Sequence, residues 1–131
     1  MPAFMLDTNI LSEAMRHPNG VAANRMRVFA AEICTSIIVA AEIRYGIAKS
    51  GWPRLIDRAE ELLRTLPVVA FDSPADIAYG ELRARLALAK VIGPNDLLIA
   101  AHAVALGITL VTDKERDFSH VPGLRIENWL R

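Results

Sequence analysis

Apolar residues fall into two kinds of run that alternate along the chain. Short unbroken runs at residues 3–6, 33–35, 68–71, 109–112 and 124–126 have the length and composition of buried strands. Between them, apolar positions recur every three or four residues, which predicts helices over 10–15, 21–31, 36 to about 49, 53–66, 73 to about 90, and 94 to about 107. Breakers stand where such helices should start and stop. His17-Pro-Asn-Gly20 interrupts the first helix, Ser36 and Ser73 are cap residues, Pro53, Pro74 and Pro94 suit first helical positions, and Gly51 and Gly107 suit helix ends. Strands that are continuous apolar runs and alternate with helices predict a parallel sheet covered on both faces. The expected architecture is therefore a three-layer α/β/α domain around a mainly parallel sheet of four or five strands. No repeat, linker or low-complexity stretch divides residues 1–131, so one domain is expected.

Composition narrows this only a little. A hydrophobic share of 53% with 6% aromatic residues suits small aliphatic side chains packed between helices and a sheet. Fifteen basic and fifteen acidic residues cancel, which argues against a general nucleic-acid coat but allows a basic rim around an acidic pocket. The single cysteine, Cys34, rules out an internal disulfide and, lying in an apolar run, is expected to be an inert buried thiol. No signal-peptide pattern is present, and the longest apolar stretch, 97–111, is too short and interrupted to cross a bilayer. A cytoplasmic protein without a membrane partner is expected.

Four carboxylates stand at positions that ordinary solvation explains poorly. Asp7 closes the first strand run, and Asp113 follows the fourth. Glu42 interrupts the predicted buried face of its helix beside Ile38, Val39, Tyr45 and Gly46, and Asp96 opens the most apolar helix of the chain. In an open parallel sheet, ligands bind beyond the carboxyl ends of the strands, which is where Asp7 and Asp113 are predicted. Converging carboxylates repel one another, and a hard divalent cation is the usual remedy. A metal site for phosphodiester chemistry follows.

Each acid also has a plainer reading. Asp7 suits a turn or cap, although Thr8 and Asn9 could serve there in its place. Glu42 could be paired with Arg44, and Asp96 could simply favour the positive end of its helix. Lys114, Glu115 and Arg116 read as loop charges, with Asp117 in reserve behind Asp113. His17, His102 and His120 form no ligand set, His102 being expected as a core or interface residue, and no serine–histidine–acid triad, phosphate loop or zinc motif is present.

Met5-Leu-Asp-Thr-Asn-Ile-Leu-Ser-Glu13, Ala41-Glu-Ile-Arg-Tyr-Gly46, Ile92-Gly-Pro-Asn-Asp-Leu-Leu-Ile-Ala-Ala-His102 and Leu110-Val-Thr-Asp113 occur in this order. With the tail Phe118-Ser-His-Val-Pro-Gly-Leu-Arg-Ile-Glu-Asn-Trp129, they resemble the successive motifs of PIN-domain ribonucleases, and among these the VapC toxins of bacterial toxin–antitoxin pairs. The resemblance implies a PIN-like fold and an endoribonuclease that depends on Mg²⁺ or Mn²⁺. It also implies an RNA substrate, inhibition by a cognate antitoxin, and a homodimer. The family's acids fall on Asp7, Glu42 and Asp96, with Asp113 as the fourth; Thr112 matches a family hydroxyl, and Asn9 and Asn95 are positioned to orient the carboxylates. Two departures stand out. Family members often carry two adjacent Asp or Asn residues after the threonine, whereas here Lys114 follows Asp113, and the connection 88–92 lacks the expected glycine.

Asp7 and Asp96 are the expected principal metal ligands, with Glu42 and Asp113 completing the pocket and Arg16, Arg44 and Arg83 as candidate phosphate contacts. Two other functions fit parts of the pattern. One is a receiver-like signalling domain that binds Mg²⁺ and accepts a phosphoryl group, with Asp72 as its third-strand acid. The other is a PIN-like binding subunit silenced by Lys114. The segments 21–31 and 53–66 carry apolar character that either a partner chain or the protein's own core would cover.

Overall fold

The computed structural model describes residues 2–86 and 92–131. The first strand, β1 (Phe4–Leu6), runs into α1 (Thr8–Arg16), followed by α2 (Val21–Val28), β2 (Ile33–Ser36), α3 (Ile37–Ser50) and α4 (Pro53–Thr65). The second half holds β3 (Val68–Val69), α5 (Ala75–Leu86), α6 (Pro94–Leu106), β4 (Thr109–Val111), α7 (Glu115–Phe118) and β5 (Ile126–Glu127). The strands form one sheet in the order β3-β2-β1-β4-β5, all parallel, with helices packed around it. The predicted α/β class and parallel sheet are thus what the chain adopts.

Register follows from burial. Met5 lies opposite Cys34 on one side and Leu110 on the other, and Leu6 lies opposite Val111. All five side chains are fully buried, so the two central pairings bury strands on both faces. Complete burial of each such apolar side chain contributes about 1.5–3 kcal/mol, which makes a register slip in β1 costly. Cys34 behaves as the small hydrophobe expected, its thiol pushed up to about 11 by burial.

Several element ends are set by single residues. Ser36 caps α3, its Oγ accepting from the Ile38 amide at 3.1 Å, and Gly51 ends the helix at φ 69°. Pro94 opens α6 and Gly107 closes it at φ 68°, a left-handed conformation that favours glycine. Other ends differ from expectation. The helix expected over 21–31 stops at Val28 and passes into one turn of 3₁₀ helix, Ala30–Glu32, where Phe29 leaves the helix to pack at a tilt against Phe4 and to stack on Trp129, with ring centroids 5.4 and 5.3 Å away. The strand expected over 68–71 shortens to Val68–Val69; it is an edge strand, and Phe71 turns instead onto the His102 ring. Helix α5 starts at Ala75 rather than Pro74, after a turn that contains the cis Ser73–Pro74 bond. The fifth strand is Ile126–Glu127, slightly later than expected, and the short helix α7 falls in what reads as loop. The expected end of α5 near residue 90 and most of the connection 88–92 lie outside the described residues.

Strand order locates the site. From β1 the chain steps outward through β2 to β3, then crosses back to place β4 on the other side of β1. The crevice between the carboxyl ends of β1 and β4 is therefore the switch point where such sheets bind ligands. The same order contradicts the receiver-like reading. That fold places its third strand beside the first, whereas here β3 is the edge strand and β2 separates it from β1, so the exposed Asp72 does not share the Asp7 rim.

Candidate active site

Asp7 and Thr112 stand on the last rung of the sheet. The Asp7 amide donates to Val111 O at 2.9 Å, and the Thr112 amide donates to Glu127 O at 2.9 Å, so both backbones are fixed by the ladder. Asp7 is 1% exposed and Thr112 fully buried. Three donors converge on the Asp7 carboxylate: the Thr8 amide on Oδ1 at 2.8 Å, and Asn9 Nδ2 at 3.0 Å and Thr112 Oγ1 at 2.7 Å on Oδ2. Asp7 is itself the N-cap of α1, which corrects the expectation that Thr8 and Asn9 would cap in its stead. A carboxylate has about four lone-pair directions, so one on Oδ1 stays open for a cation.

Burial pushes the Asp7 carboxyl above the usual carboxylate range. The bonds from Thr112 and Thr8 pull it down, the Asp96 charge pushes it up, and Lys114 pulls it down. Asp96 lies in the first turn of α6, half-buried as expected, with its side chain 13% exposed.

Glu42 enters through Thr8, whose hydroxyl donates to Oε1 at 2.6 Å. It is half-buried at the edge of the α3 core face rather than on it. The buried residues of that helix are Val39, Ala40, Ile43 and Ile47, while Tyr45 and Gly46 are exposed. Nor does Arg44 pair with it; that guanidinium binds Glu60. The other two candidate phosphate arginines are also engaged, Arg16 with Glu13 at 3.3 Å and Arg83 with the Tyr79 hydroxyl at 3.1 Å.

Asn9 links the two sides of the crevice. Its Nδ2 reaches Asp7 and Thr112, and its Oδ1 accepts the Asp113 amide at 2.9 Å. Only the backbone of Asp113 joins this network. Its exposed carboxylate accepts from Asn128 Nδ2 at 2.9 Å, away from Asp7. Asn95 is exposed in the first turn of α6, and Asp117 sits half-buried in α7.

The place beside Asp96 belongs to Lys114. Its Nζ lies 3.1 Å from Asp96 Oδ2, and its amide donates to Thr112 Oγ1 at 3.0 Å. Burial works against its charge, but the bond and charge of Asp96, then the charges of Asp7 and Glu42, outweigh this and raise its pKa. An ammonium therefore stands against the Asp96 carboxylate where a cation would be expected. Among the described residues, no three acidic, histidine or cysteine side chains are gathered tightly enough to hold a metal as they stand. The donors still fit Mg²⁺ or Mn²⁺ chemistry, because such ions take oxygen ligands and Mg²⁺ commonly binds one or two carboxylates while keeping several waters.

Comparison with known proteins agrees with this geometry. Residues 4–124 match the PIN domain. The chain belongs to the PIN-domain family. Ribonuclease VapC2 of Rickettsia felis is 39% identical, the match covering 96% of this chain and 97% of that protein. The tRNA(fMet)-specific endonuclease VapC of Salmonella typhimurium is 36% identical, covering 98% and 99%. Among solved structures, DNA-bound VapBC from Salmonella typhimurium matches with a TM-score of 0.92 at 36% identity over 98% of this chain and 99% of that one. VapBC2 from Rickettsia felis bound to a fragment of its promoter matches at 0.89 and 37%, covering 96% and 98%. This PIN domain is thus a close relative of the VapC ribonucleases.

Two features of the site escape a reading of the sequence. Thr8 looks like a capping residue, yet its hydroxyl is what ties Glu42 to the crevice. Asn128 holds Asp113 from the C-terminal tail, a pairing no local spacing signals. His102, expected in the core, is buried there with Nδ1 2.8 Å from Ser36 Oγ; burial pushes its pKa down, against the Ala70 backbone bond and the Asp72 charge. Outside the crevice, a cleft of about 520 Å³ opens between α1, α2 and α4, lined by Met15, Met26, Ala30, Ile33, Leu62 and Leu66 among others. It lies between the two segments singled out for their apolar character.

Proposed function

We propose that this PIN domain is a divalent-metal-dependent endoribonuclease, the toxin half of a VapBC-type pair, that hydrolyses RNA phosphodiester bonds at the crevice between β1 and β4. The observation that carries this reading is the hydrogen-bonded chain of groups at the sheet's switch point: Thr112 joins Asp7 to the Lys114 backbone, the Lys114 ammonium lies 3.1 Å from Asp96, and Thr8 ties Glu42 to the same edge. Asp7 and Asp96 would hold Mg²⁺ or Mn²⁺, with Glu42 bordering the same pocket and Asp113 reaching it only after leaving Asn128. When bound, the ion supplies an activated water and neutralises charge on the phosphoryl group. The chain's own part is positional. Thr112 and Asn9 fix one Asp7 oxygen and leave the other facing the crevice, and Thr8 keeps Glu42 turned inward. Asn95, exposed at the start of α6, is placed to contact substrate or Asp96 from the rim.

An antitoxin fits the apolar cleft between α2 and α4, whose rim carries Arg27, Arg58 and Glu61 for polar contacts. Likeness to the VapBC assemblies supports the antitoxin partner, and a homodimer is part of the same proposal. A cytoplasmic location goes with the RNA substrate, and among the described residues no helix is long and apolar enough to cross a membrane. The decisive experiment incubates purified chain with total RNA, tRNA(fMet) included, in Mg²⁺, Mn²⁺ or chelator, and maps new 5′ ends by sequencing. Discrete cuts that need metal and vanish in Asp7→Asn are expected. Cuts that survive chelation, or no cuts under any condition, would overturn the proposal.

A further inference from the structure

The lysine at the rim of the acid pocket is held there from both ends. Its amide is held by Thr112 Oγ1, the hydroxyl that also donates to Asp7, and its ammonium reaches across to Asp96. Lys114 thus links the Thr112–Asp7 pair to Asp96 and adds a positive charge beside the latter. The link is firm at one end and looser at the other. The backbone is bound at 3.0 Å, while the side chain is 49% exposed on a flexible four-carbon stem. Half-solvated ion pairs of this kind are weak and readily exchanged.

We propose that Lys114 is a tethered counter-ion that occupies the acidic pocket of the metal-free protein and must leave Asp96 before a divalent cation can bind. This rests on the metal-dependent reading of the site and deepens it. The lysine does not silence the pocket; it sets how much free metal is needed to fill it. The ammonium keeps the acids together when metal is scarce. A doubly charged ion, which can bind Asp7 and Asp96 at once, displaces it when metal is plentiful. Because lysine stays protonated throughout the neutral range, its release from Asp96 is driven by the competing cation rather than by its own loss of a proton.

Calorimetric titration of Mn²⁺ into metal-free wild type, Lys114→Met and Lys114→Arg tests this, with melting temperatures in chelator recorded on the same samples. Removing the charge while keeping the stem should tighten Mn²⁺ binding roughly five- to tenfold, the influence of one charge at a partly solvated rim. It should also lower the melting temperature of the metal-free protein. Lys114→Arg should bind Mn²⁺ within about twofold of wild type, because the competing charge remains. Lys114→Gln gives the same comparison if the methionine disturbs folding. Equal affinity in wild type and both uncharged variants, or weaker binding in the latter, overturns the inference. RNA cleavage by wild type is measured in parallel. If wild type cuts RNA and binds Mn²⁺ while the variants share its affinity, only the role of Lys114 falls. If wild type does neither, the metal-dependent reading falls as well.

Discussion

Asp7 shows how one side chain can serve structure and chemistry together. It caps α1, closes the β1–β4 ladder and is held by Thr112 and Asn9, yet burial and Asp96 still raise its pKa. The folded state therefore keeps the Asp7 proton to a higher pH than the unfolded state does. Between the usual carboxylate pKa and the raised folded value, the native form binds more protons, so this group's contribution lowers stability as pH rises. Urea denaturation in chelator from about pH 4 to about pH 8 checks the sign. The difference between wild type and Asp7→Asn should shift in favour of the variant as pH rises through that window; a difference independent of pH would contradict it. Thr112 offers a second test, because its hydroxyl serves Asp7, Asn9 and the Lys114 amide at once. Thr112→Val should cost about 1–3 kcal/mol by urea denaturation, since it strands buried partners. A loss under about 0.5 kcal/mol would show that water replaces the hydroxyl freely.

At the scale of elements, what could be read from the chain was what a local rule determines. Ser36, Gly51, Pro53, Pro94 and Gly107 mark helix ends because capping and left-handed turns select those residues directly. The ends that differ were decided by contacts remote in sequence: Phe29 against Trp129, and Phe71 against His102. Helix α7 had a weak signal in the buried Phe118 inside a charged run, with Glu115 and Asp117 at the favourable helix start. The acids of the candidate site drew attention by contrast with their surroundings rather than through a local rule. Asp7 and Asp96 are anomalies next to apolar runs, whereas the Asp113–Asn128 and Thr8–Glu42 bonds depend on how elements meet. Ser36 serves both as α3 cap and as partner of His102. Ser36→Ala should cost about 0.5–2 kcal/mol for the cap alone. An unchanged urea midpoint would mean that the α3 end is held by packing instead.

For the whole molecule, strand order is the organising fact. Placing β4 beside β1 brings Thr112 and Lys114 to Asp7 across a sequence separation that no periodicity encodes, while α3 and α6 carry Glu42 and Asp96 to the same edge. The chain is neutral overall, so no global field steers a charged ligand toward the crevice. The apolar cleft lies on helices α1, α2 and α4, so the proposed partner surface and the proposed catalytic crevice can be mutated separately. Ala30→Arg, at an exposed position of the cleft, should abolish capture of the cognate antitoxin in a pull-down while RNA cleavage persists. Retained capture would place the partner elsewhere. The most direct test of the account is the rate of RNA cleavage by wild type and Asp7→Asn across a Mn²⁺ titration, with chelator as the zero point. The account predicts metal-dependent cleavage that falls at least about a hundredfold in the variant, the scale expected when a metal ligand is lost. Equal rates in the two proteins, or cleavage undiminished by chelator, would contradict it.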